Sequence, residues 1–109
     1  MLYLVTMEMI DPGLLFPPEK VPSMLNDLVL PSLDTLAKMV KDKKVVAGGV
    51  LAGQRAGAFI LEAASHDEVN RLLHELPFWG MMKMSVAPLE SFESRAAYER
   101  QWVSRLGKP

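Results

Sequence analysis

Residues 2–9, Leu-Tyr-Leu-Val-Thr-Met-Glu-Met, are β-compatible, and the run stops at Asp11-Pro12-Gly13, a turn signal. This predicts a first strand. Its alternation puts Leu2, Leu4, Thr6 and Glu8 on one face and Tyr3, Val5, Met7 and Met9 on the other. Both faces are largely apolar, so the strand needs cover on both sides. Residues 10–22 carry four prolines and the apolar patch Leu14-Leu15-Phe16. They read as a loop packed on the core or a subunit, or else as a lid on a ligand pocket.

Helical spacing takes over at residues 23–43, where Leu25, Leu28, Val29, Leu33, Leu36, Met39 and Val40 share one stripe. Ser23 is placed to cap the start. Pro31 removes the hydrogen bond to the Asp27 carbonyl, at a cost of roughly 3 kcal/mol in an ideal helix. The stripe stays in phase across it, which predicts one kinked helix rather than two. Residues 45–53 and 56–64 predict a hairpin turning at Gly53-Gln54-Arg55, with Gly48-Gly49 marking a bulge or a close backbone approach. Residues 66–76 predict a second helix. Ser65 and Glu68 make a capping-box pattern, Val69, Leu72, Leu73 and Leu76 form the buried stripe, and His74 falls on the wet side. Residues 80–89 predict a fourth strand ended by Pro88, with Met82, Met84 and Val86 opposite Met81, Lys83, Ser85 and Ala87. Residues 92–106 predict a last helix whose stripe includes Tyr98, Trp102 and Leu106.

The order is β-α-β-β-α-β followed by a helix. This is the α+β, ferredoxin-like pattern: a four-stranded antiparallel sheet with both core helices on one face. Residues 1–89 make that domain, and residues 90–109 form a helical tail that must dock on the domain or on a partner subunit. The other sheet face would stand in water, yet the first and fourth strands are apolar on both sides. The economical cover is the same face of a second copy, an isologous homodimer.

Composition narrows the picture further. With 109 residues the chain makes one domain. A net charge of −1 gives no basic field for nucleic acid. No run approaches the roughly 20 apolar residues of a membrane span. The start lacks a signal peptide's basic flank and reads as the first strand of a mature protein. There is no cysteine, which removes disulfides and thiolate chemistry and is compatible with the cytoplasm. His66 and His74 lie roughly 12 Å apart along a helix and cannot make a His-x-x-x-His metal pair. No nucleophile–base pair, phosphate loop or metal set is visible.

The segments Met1-Leu2-Tyr3, Ala52-Gly53 through Ala64-Ser65, and Leu73-His74-Glu75-Leu76-Pro77-Phe78-Trp79 with the strand after it carry a resemblance. Over most of residues 1–89 the chain resembles muconolactone delta-isomerase, of the dimeric α/β-barrel superfamily. The resemblance implies sheet-to-sheet dimers that assemble into larger rings, and a small-molecule pocket between sheet and helices. It also implies a cofactor-free proton shift in an unsaturated lactone of aromatic-compound breakdown. Such chemistry needs a base beside a carbonyl and a group that holds enolate-like charge. Where the isomerases carry basic and aromatic polar groups on the second strand, this chain has Val46, Ala47, Gly48 and Gly49.

Glu8 and Asp34 are the candidate catalytic bases. Tyr3, Phe16, Gly49, Trp79 and Lys83 are the candidate ligand-binding residues. Each also has a plain structural reading: Glu8 exposed at a strand end, Asp34 on the wet side of the first helix, Tyr3 and Trp79 as packing, Lys83 at a sheet edge. Two functions stand side by side. One is an isomerase-like enzyme acting on a small organic acid or lactone. The other is a non-catalytic ligand-binding or structural oligomer that keeps the fold.

Overall fold

The computed structural model describes residues 1–10 and 17–107. Strands β1 (Leu2–Met9), β2 (Val45–Val50), β3 (Ala56–Glu62) and β4 (Met82–Leu89) form one antiparallel sheet in the order β2-β3-β1-β4. Helices α1 (residues 18–41) and α2 (His66–His74) link them in the order β-α-β-β-α-β, and α3 (Phe92–Leu106) follows β4. This is the ferredoxin-like α+β architecture.

Alternation along β1 decides the layers. Tyr3, Val5 and Met7 are buried under the helices, whereas Leu2, Leu4, Thr6 and Glu8 are exposed on the other side. Phe59 and Leu61 of β3 join the buried side, and α2 contributes Val69, Leu72 and Leu73. Leu76, Phe78 and Met81 close the core after α2. Burying such a side chain is worth about 1.5–3 kcal/mol, which is why the two-residue period holds the register so firmly.

The first helix starts earlier than its apolar stripe suggests. A 3₁₀ turn at Pro18–Lys20 runs into an α-turn at Val21–Met24, so residues 17–22 are not wholly a loop and Ser23 is no cap. Pro18 and Pro22 fit because prolines at a helix start give up N–H groups that have no partner there. A π-turn then spans Leu25–Val29, with the Leu30 N–H donating to the Leu25 carbonyl, before the α-helix resumes over Leu30–Lys41. One helix therefore continues through Pro31, and the widened turn gives the ring room that an α-turn lacks. The apolar patch Leu14-Leu15-Phe16 lies outside the described residues.

At the second strand, the register slips between Val45 and Ala47, and Gly48 adopts φ +110°. Of the two readings of Gly48-Gly49, the close backbone approach is the one observed: a Cβ on Gly48 would strike the Ala58 carbonyl and Phe59, while the bulge falls earlier, between Val45 and Ala47. Pro88 does not end β4, which runs to Leu89. The strand lies at the sheet edge, where a missing N–H costs no ladder bond. At α2, Ser65 accepts from the Glu68 N–H at 3.2 Å, and the Glu68 carboxylate reaches the Ala64 N–H at 2.8 Å. The cap expected from this pair therefore forms, with its return bond one residue earlier than in the standard box.

Candidate functional site

The register sets the polar residues of the open sheet face side by side. Thr6 stands opposite Ser85, and Glu8 opposite Lys83, across the β1–β4 ladder. Directly opposed antiparallel residues have Cβ atoms about 5 Å apart. A hollow of about 310 Å³ is lined there by Thr6, Glu8, Gln54, Lys83 and Ser85. Two backbone bonds fix this end of the sheet: Met9 N–H to the Arg55 carbonyl and Ile10 N–H to the Met81 carbonyl, both 2.9 Å. Among the described residues, no ion pair within 4.0 Å joins Glu8 to Lys83. Carboxylate and ammonium therefore share a hollow with two hydroxyls between strands.

On the other side of the sheet, α1 leaves a different cleft. Its first part, about 160 Å³, is lined by Leu33, Leu36, Val40, Val45, Gly49 and Phe59, among others, and has no titratable side chain. A second part of about 130 Å³ adjoins it through Met7, Leu33 and Val50 and carries Gln54 and Arg55 at one end. This cleft can take an apolar body, with a guanidinium near one mouth.

The candidates divide accordingly. Glu8 and Lys83 come together on the open face, and Gly49 lines the apolar cleft. Asp34 is exposed on α1. Tyr3 is buried, with its hydroxyl 3.7 Å from the Met1 sulfur and its ring edge-on to His66. Trp79 stacks on His74, with ring centroids 4.0 Å apart, while the His74 Nδ1 meets the Asn70 carbonyl at 2.7 Å. Phe16 lies outside the described residues. Thr6, Ser85 and Gln54 were not among the candidates. Pairing the alternating runs 2–9 and 82–89 antiparallel would have found the first two.

Two charged groups on the helices have their protonation shifted by close partners. Lys44, 2.8 Å from Glu68, and the Ala64 N–H hold the Glu68 carboxyl below the ordinary carboxylate range. Glu90, 2.6 Å from Arg95, raises the guanidinium at the start of α3. Among the described residues, no three His, Asp or Glu side chains gather as a metal site. No helix there is long and apolar enough to cross a membrane.

The family profile of muconolactone delta-isomerase matches residues 1–95. The chain belongs to that family. Solved structures that share the fold include the following two. One is muconolactone isomerase, with TM-score 0.69 and 19% identity, covering 86% of this chain and 93% of that one. The other is 5-chloro-2-hydroxyhydroquinone dehydrochlorinase from Burkholderia phenoliruptrix, solved with 2,5-dihydroxybenzoquinone. It has TM-score 0.61 and 20% identity, covering 86% of this chain and 98% of that one. No curated protein sequence matches. At these identities the structural likeness is one of fold.

Proposed function

We propose that this chain catalyses a cofactor-free proton shift on a small unsaturated lactone or organic acid, with Glu8 as base and Lys83 as the charge-holding group. The observation that carries the reading is the cross-strand pair of Glu8 and Lys83 beside Thr6 and Ser85. The Glu8 carboxylate takes a proton from the carbon beside the carbonyl. The electron pair moves onto the carbonyl oxygen, where the Lys83 ammonium and a hydroxyl meet it. The same carboxyl returns the proton to the far carbon of the conjugated system, so no external donor or acceptor is consumed. Family membership supports the reaction type. The quinone-bound dehydrochlorinase supports a small oxygenated ring as ligand class.

Such a site needs water excluded for the ammonium to act strongly. We place a second copy against the open face, as a homodimer through the sheet faces that larger rings can build on. Leu2, Leu4 and Leu89 stay more than a third exposed there, which supports that contact. A cytoplasmic location, with which the cysteine-free sequence is compatible, belongs to the same reading.

The test is proton exchange with muconolactone and related lactones in heavy water, followed by NMR. Glu8→Gln should cut exchange by roughly 10²–10⁴, and Lys83→Met by roughly 10²–10³. Asp34→Asn should leave it unchanged. Absence of exchange across the panel, with the chain folded, overturns the enzymatic reading. The alternative is then a ligand-binding oligomer. The apolar α1–sheet cleft supports that role, since it offers burial and nothing that moves a proton.

A further inference from the structure

Helix α3 holds an apolar stripe that its own domain does not cover. Phe92 is 95% exposed, Leu106 74% and Val103 68%, and no residue of α3 is buried. Tyr98 and Trp102 meet edge-on with ring centroids 6.3 Å apart, so the stripe is internally ordered without a floor beneath it. The Cα radius of gyration is 18.4 Å and the longest axis 69 Å against 30 and 25 Å. A compact chain of this length would have a radius of about 13 Å, so α3 projects from the body.

Its start is well defined. Only Glu90 and Ser91 separate β4 from α3. Ser91 caps the first turn by accepting from the Ser94 N–H at 3.0 Å, and Arg95 bonds Glu90 at 2.6 Å. Both contacts are local to residues 90–95 and order the first turn of α3.

We infer that α3 is an arm that packs on a second copy of this chain and completes the homodimer. The inference rests on the proposed sheet-face contact, and area is its main argument. Four strands about 4.8 Å apart and about 25 Å long give a footprint of roughly 500 Å². A standard interface buries about 800 Å² per partner. A helix of 15 residues adds a face roughly 22 Å long and 10 Å wide, which makes up most of the shortfall. The apolar surface continues from the sheet onto the helix: Leu2 faces Leu89 across the ladder, and Phe92 follows within one turn of chain. Charge points the same way. Within α3, Glu93 and Glu99 offset all but one of the charges of Arg95, Arg100 and Arg105, and a net charge of +1 falls short of the basic cluster that nucleic acid or an anionic membrane selects.

Two measurements on the full-length chain test it. In a Trp79→Phe background, Trp102 emission should shift to the blue with rising concentration, in step with dimer formation by sedimentation. Trp102→Glu should raise the dimer dissociation constant at least about 30-fold. Emission that stays red while the dimer forms overturns the inference, because α3 then remains in water. Blue emission in the monomer also overturns it, because α3 then docks on its own chain. A chain that stays monomeric at high micromolar concentration overturns it together with the sheet-face contact. Leu4→Lys separates the two: a dimer lost with Leu4→Lys but unweakened by Trp102→Glu keeps the sheet-face contact and overturns the arm.

Discussion

Among the described residues, Ser32 is the one buried polar side chain, fully buried on α1. Its hydroxyl donates to the Leu28 carbonyl at 2.6 Å and accepts from the Phe78 N–H at 2.9 Å. This single group ties the first helix to the turn before β4, across 46 residues of sequence. Ser32→Ala would leave the Phe78 donor buried without a partner and should cost about 1–3 kcal/mol, read from urea unfolding. Ser32→Thr should retain part of the bond at the cost of crowding. Gly48 is a different kind of constraint. Its positive φ and its approach to β3 both exclude a side chain. Gly48→Val should destabilise by at least about 2 kcal/mol, whereas Gly49→Ala should be far milder, since a Cβ there meets nothing. The two glycines look alike in sequence and differ because only the first takes a positive φ and lies against β3.

At the level of elements, the α2 entrance carries a pH dependence. The nearby Lys44 ammonium first, and the Ala64 N–H second, lower the Glu68 pKa in the folded chain. The folded state therefore binds the Glu68 proton less readily than the unfolded chain does. Stability from this cluster is fully present above the unfolded carboxylate range and is lost as pH falls through the lowered folded value. The melting temperature of the native chain should exceed that of Glu68→Gln at neutral pH, and the gap should close on acidification. An unchanged gap down to the acid limit would show that the charge plays no part. The first helix shows how an element can be legible in kind but not in detail. The apolar stripe of 25–40 identified it, yet the wide turn before Pro31 leaves the side-chain pattern in phase and is invisible to periodicity. The early start at Pro18 was hidden because prolines signal loops and helix starts alike.

For the whole molecule, the body and α3 contribute unequally to folding. The arm contributes no buried residue, so ending the chain at Leu89 should leave unfolding cooperative and the monomer's melting temperature nearly unchanged. A collapse of stability on truncation would place α3 inside the folding unit. Sequence alone determined the element order, the period-two faces of β1 and β4, the α2 stripe and the family likeness. These rest on local chemistry, side-chain alternation and turn residues, which are written along the chain. Tertiary structure decided what depends on register and on long-range contact. It set Glu8 beside Lys83 and Thr6 beside Ser85. It left Asp34 outside both hollows, put Trp79 on His74, and gave the Ser32 hydroxyl a donor in the Phe78 N–H. A residue's type records what chemistry it can do. Which neighbour it meets is set by how two distant segments slide past each other, and that is chosen by the summed burial of the whole core.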